Sequence, residues 1–76
     1  MSIDTFIGHF AEALETGAGA LTPQTVFKDL DNWDSLAALS VIAMIDEHYG
    51  ASIGGADLEK ARSLQDLHEL VAQRRA

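Results

Sequence analysis

The chain has 76 residues, no cysteine and a net charge of −7. That length fits a single domain over 1–76, and such a domain buries only about 60% of the surface its unfolded chain exposes. Without cysteine there is no disulfide, no zinc–thiolate site and no thiol nucleophile, so any thiol chemistry needs a sulfur that the chain does not encode. A net acidic surface also repels phosphate backbones and opposes nucleic-acid binding.

The distribution of charge says more than its sum. Seven acids lie between Asp29 and Glu59, with no lysine or arginine among them; Lys28, Lys60, Arg62, Arg74 and Arg75 all fall outside. Such a surface favours partners with basic docking faces, although acidic charge also serves solubility alone. No apolar run approaches the length of a membrane span. The N-terminus lacks a basic region followed by an apolar run. A cytoplasmic monomer is the expectation.

Taken in chain order, residues 3–15 have the pattern of an amphipathic helix. Ile3, Phe6, Ile7, Phe10 and Leu14 share one face. Ser2 is placed to cap its start, and Gly17 and Gly19 to end it. Residues 16–34 form a long connection containing Thr22-Pro23. Its Leu21, Val26, Phe27 and Leu30 are spaced to pack it onto a core. Connections of this length are often functional.

A second helix is expected over 35–49, capped by Asp34 and stopped by Gly50. Ala38, Val41, Ile42, Ile45 and Tyr49 form the stripe assigned to the core. Leu36, Ser40, Ala43 and Glu47 lie on roughly the opposite side, flanked by Leu39 and Met44. Ile53, near glycines, is expected to pin a loop to the core, and 56–61 to make one short helical turn. Ser63-Leu64-Gln65-Asp66 matches a capping box. It opens a last helix with Leu64, Leu67, Leu70 and Val71 on one face, and Arg74 and Arg75 suit its C-terminal dipole. No strand-period alternation and no repeat is present. The fold class is all-α: three main helices, a short additional one and a long first loop.

Metal and hydrolytic chemistry are disfavoured. A calcium loop aligned on Asp29 needs Gly at its sixth position and Glu at its twelfth, where this chain has Asp34 and Ser40. His9, His48 and His68 fall on three elements with no ligand spacing and read as surface or boundary residues. His48 lies 13 residues beyond Ser35 on the same helix, about 20 Å away at 1.5 Å per residue, and no strand-to-helix elbow presents a nucleophile. No catalytic residue is assigned.

Asp34-Ser35-Leu36 is the remaining candidate. Asp and Ser are ordinary helix-start residues, but here they follow a long connection. A helix N-terminus offers free N–H groups and partial positive charge, which suit a phosphodiester. Leu36, Leu39 and Ala43 just behind it have the makings of an apolar docking face. The competing reading packs these residues, Leu39 above all, beneath the first loop.

Trp33-Asp34-Ser35-Leu36, the apolar helix to Tyr49, Ile53 and Leu64-Gln65-Asp66-Leu67 together resemble the acyl carrier proteins. The resemblance implies a four-helix bundle whose third helix is short. It also implies that a phosphopantetheinyl transferase moves a 4'-phosphopantetheine arm from coenzyme A onto the Ser35 hydroxyl. The arm's thiol then holds cargo as a thioester, supplying the thiol that a cysteine-free chain lacks. Asp34 would cap the helix and belong to the transferase motif with Leu36. Leu36, Leu39, Ser40, Ala43 and Glu47 would face partner enzymes, namely an acyl-loading ligase or synthase and downstream acyl-processing enzymes, as in fatty acid or polyketide biosynthesis.

Three features depart from the central fatty-acid carriers. Ala37 and Ser40 stand where acids are usual, Trp33 is closer to D-alanyl and specialised carriers, and Gly54-Gly55 replaces the usual proline after Ile53. The expectation is therefore a stand-alone acyl carrier of a specialised pathway. An aminoacyl carrier, D-alanyl or peptidyl, is the alternative on the same fold. A helical adaptor without a prosthetic group is the third reading.

Overall fold

The computed structural model describes residues 2–75, for residue 18 the backbone alone. Its four helices are α1 (Ile3–Ala13), α2 (Ser35–Tyr49), α3 (Gly55–Lys60) and α4 (Leu64–Arg74), and two short 3₁₀ turns, Ala18–Ala20 and Phe27–Asp29, lie in the long first connection. This is the all-α four-helix arrangement expected. No strand is present among the described residues; the nearest approach is one isolated antiparallel bridge between Val26 and Ser63.

α1 starts where the Ser2 hydroxyl accepts from the Thr5 N–H at 3.4 Å, and it buries Phe6, Ile7, Phe10 and Ala11. It ends earlier than the glycine positions suggest. The Glu15 N–H donates to the Glu12 carbonyl at 3.1 Å and the Thr16 N–H to the Ala11 carbonyl at 2.9 Å. That pair of bonds is a Schellman motif, which requires a left-handed residue at its turn. Glu15 takes that conformation, with φ 56°. The two bonds satisfy otherwise orphaned carbonyls, and Gly17 and Gly19 are not the stop.

The first connection is packed down. Leu21 and Phe27 are buried, and Val26 and Leu30 are half-buried. The Leu64 N–H donates to the Thr25 carbonyl at 3.0 Å and the Gln65 N–H to the Pro23 carbonyl at 2.9 Å, tying the loop to the start of α4. The Asn32 amide donates to the Leu14 carbonyl at 3.2 Å, which ties its far end to α1.

α2 has the expected limits, with the Asp34 cap and Gly50 at φ 63°. Its buried line differs from the stripe read in the sequence. Ala37, Val41, Met44 and Ile45 are buried, whereas Ala38, Ile42 and Tyr49 are half-buried. Met44, read as flanking the outer side, lies beside His9 and Ala13 of α1. α2 is apolar over most of its circumference, so the position of α1 decides which arc is covered.

Ala51 and Ile53 pin the next loop to the core. α3 starts one residue earlier than read, and the Asp57 carboxylate accepts the Gly54 N–H at 3.0 Å. The capping box of α4 is present in both directions. The Asp66 N–H donates to Ser63 Oγ, and the Ser63 N–H to the Asp66 carboxylate, each at 3.2 Å. Arg74, read as serving the C-terminal dipole of α4, instead turns its guanidinium to Asp57 of α3, 2.9 Å away. Phe6, Phe10, Phe27, Ile45, Leu64 and Leu67 are among the largest fully buried side chains, and α3 adds Leu58 to the same core.

Candidate functional site

Trp33 anchors the approach to α2 by packing against the aromatic core. Its ring stacks on Phe10 at 6.2 Å with planes 7° apart and meets Phe27 edge-on at 5.1 Å. The next residue, Asp34, leaves this anchor in extended conformation. Its Oδ1 accepts the Ala37 N–H at 2.8 Å, and its carbonyl accepts the Ala38 N–H at 3.0 Å. Ser35 is therefore the first residue of α2, with its side chain exposed. The first N–H groups of a helix lack intrahelical partners and carry partial positive charge. An anion attached at Ser35 sits at that end of the helix, with no acidic residue inside the first turn to oppose it.

Leu36 is 72% exposed and Leu39 63% exposed, so neither is packed beneath the first loop. Ala43 and Glu47 continue the exposed face, and Ser40 is half-buried. On the other side of Ser35 an open groove of about 470 Å³ is lined by Trp33, Asp34, Ser35 and Ala38 together with Gly55, Leu58 and Glu59. Lys28 also lines it, and its ammonium donates to the Glu59 carbonyl at 2.6 Å. This contact draws the first loop against α3. Gly55 lines the groove where the departure from proline was noted, and a Cβ there would meet no atom within 4 Å.

The fold brings the histidines into contacts that their spacing could not reveal. His9 and His48 stack on each other with ring centroids 3.9 Å apart, at the end of α2 remote from Ser35. His68 meets Phe6 edge-on. No group of three or more histidines and acids among the described residues is arranged to hold a metal ion.

A family model described as the phosphopantetheine attachment site matches residues 4–71. The chain belongs to the phosphopantetheine-attachment family. A phosphopantetheine-attachment protein is a carrier and not a catalyst. It is the substrate of a phosphopantetheinyl transferase and bears a covalent 4'-phosphopantetheine, whose thiol carries the cargo. An exposed serine at a helix start, beside an open groove and in a chain without cysteine, fits that group. The solution NMR structure of a holo acyl carrier protein from Geobacter metallireducens is similar, with TM-score 0.77 and 28% identity, covering 95% of this chain and 83% of that one. No curated protein is significantly similar in sequence. No helix among the described residues is long and apolar enough to cross a membrane.

Proposed function

We propose that Ser35 is the attachment residue and that the chain holds acyl intermediates as thioesters for a specialised biosynthetic pathway. The observation that carries this reading is the placement of Ser35: exposed, first in α2, and held by the Asp34 cap and the Trp33 anchor. Asp34 fixes the helix start that the transferase must recognise. Leu36, Leu39, Ser40, Ala43 and Glu47 form the face offered to the transferase and then to loading and acyl-processing enzymes. Coenzyme A supplies the arm, so the expected setting is the cytoplasm. Incubation with coenzyme A and a broad-specificity transferase, followed by intact-mass measurement, should add one phosphopantetheine to the wild-type chain and none to Ser35→Ala. No gain, or a gain that survives the substitution, overturns the assignment.

The specialised role rests on the absence of acids in the first turn of α2. The same feature, with Trp33, favours an aminoacyl carrier as the second reading. An adenylating ligase that loads an amino acid onto the holo chain, where acyl-loading enzymes do not, would replace the acyl assignment. The adaptor reading is set aside, because it has no prosthetic group and the chain belongs to a phosphopantetheine-attachment family.

A further inference from the structure

The three histidines lie on three helices, yet the fold joins them in one aromatic array. His9 of α1 and His48 of α2 lie face to face, with centroids 3.9 Å apart and planes 21° apart. Tyr49 meets His9 edge-on at 6.0 Å and Phe6 at 5.7 Å, and Phe6 in turn meets His68 of α4 at 5.5 Å. His9 is half-buried and His48 exposed. The charged side chains lining the groove beside the stacked pair are Glu12 from α1 and Glu47 from α2. Arg75, beyond α4, acts on Tyr49; burial pushes the Tyr49 phenol up, so it stays neutral near neutral pH.

Two neutral imidazoles bring no net charge to the stack. A single positive charge at the pair meets no like charge among the groove's other charged side chains, Glu12 and Glu47. A second places like charges face to face at contact distance, where their repulsion is strongest. We propose that the His9–His48 stack is an acid-sensitive clasp between α1 and α2, closed while at most one ring is charged and open when both are. Ser40, Ala43 and Glu47 line the same groove, so opening the clasp reshapes the face assigned above to partner enzymes. That consequence rests on the docking assignment. The clasp itself needs neither arm nor partner, so its failure is distinguishable from failure of the carrier reading.

The full unmodified chain tests it. Ordinary imidazoles titrate at about pH 6.5, whereas carboxylates titrate at about 4 and phenols at about 10. Melting temperatures are therefore compared at about pH 7.5 and about pH 5.5, on either side of the ordinary imidazole value. His48→Phe and His9→Phe keep a stacked ring and remove one of the two charges; the carboxylates are common to all three proteins. The wild-type chain should lose about 4–8 °C more than either variant over this interval. Inter-ring proton NOEs between His9 and His48 should be present at the higher pH and lost at the lower. Equal losses in all three proteins, or NOEs that persist at the lower pH, overturn the clasp. Should a phenylalanine variant fail to fold, His48→Gln at the exposed position replaces it, with the same two outcomes.

Discussion

The Arg74 guanidinium closes on the Asp57 carboxylate through two hydrogen bonds, Nη2 to Oδ1 at 2.9 Å and Nη1 to Oδ2 at 3.2 Å, and so joins the last turn of α4 to the first turn of α3. The Gly54 N–H donates to the same carboxylate. These contacts hold the Asp57 carboxyl below the usual carboxylate range, the Gly54 bond contributing first and Arg74 next. α3 has only six residues, too few to persist without tertiary support. The pair therefore bears on the wall of the groove beside Ser35.

A depressed folded-state carboxyl contributes stability above its unfolded-state pKa and loses it as pH falls through the folded value. Asp57→Ala and Arg74→Gln should lower the urea midpoint at neutral pH, Asp57→Ala more because it also removes the acceptor of the Gly54 N–H. The difference from wild type should shrink as the pH is taken below the ordinary carboxylate range. Urea titrations at a series of pH values check this; a gap that widens on acidification would contradict it.

Glu15 occupies the left-handed turn position of the Schellman motif that ends α1. A Cβ in that conformation costs about 1–2 kcal/mol relative to glycine, and the added chain entropy of glycine offsets part of the gain. Glu15→Gly should therefore stabilise the chain by about 0.5–1 kcal/mol in urea unfolding. Glu15→Ala keeps the Cβ and should give no comparable gain.

Asp34 has a structural role that can be separated from transferase recognition. Removing its cap by Asp34→Ala should cost about 1 kcal/mol of stability. Asp34→Asn can still accept the Ala37 N–H and should stay within a few tenths of wild type. If the carboxylate itself is read by the transferase, Asp34→Asn restores stability yet still accepts the arm slowly. Denaturant titration and a timed mass assay on the same samples distinguish the two.

Leu36 and Leu39 contribute little to the core. Leu36→Ala and Leu39→Ala should change stability by no more than about 0.5 kcal/mol. On the proposed docking face, burial of one leucine by a partner is worth about 1.5–3 kcal/mol, so arm transfer by the transferase should lose at least about tenfold in kcat/KM for the variant whose leucine it covers. Wild-type transfer rates in both variants would move the docking face elsewhere.

Local chemistry made much of the fold legible in the sequence. The Ser2, Asp34 and Ser63 caps, the Gly50 stop and the face of α1 depend on contacts within a turn or two, and they occur where the residue types place them. The Asp34-Ser35-Leu36 triplet at the start of a helix, after a long packed connection, was likewise readable as a candidate site because helix-start chemistry is local. The absence of cysteine determined that the working thiol must come from an attached group.

Relations between elements were decided only by the tertiary structure. The broad apolar surface of α2 is compatible with several buried arcs; α1 selected one that keeps Val41 and Ile45 of the expected stripe and adds Ala37 and Met44, while Ala38, Ile42 and Tyr49 pack half-buried at its edge. Arg74 reaches Asp57, 17 positions away, and His9 reaches His48 across two helices; neither contact has a periodic signature. Glu15 became the end of α1 because the hydrogen bonds to Ala11 and Glu12 compensate a left-handed residue that glycine would occupy without strain. The exposure of Leu39 follows from the path of the first loop, which the bonds to α4 and the Trp33 anchor hold away from that face. Periodicity specifies which residues share a helix face, but the free energy of covering that face depends on where the neighbouring elements sit.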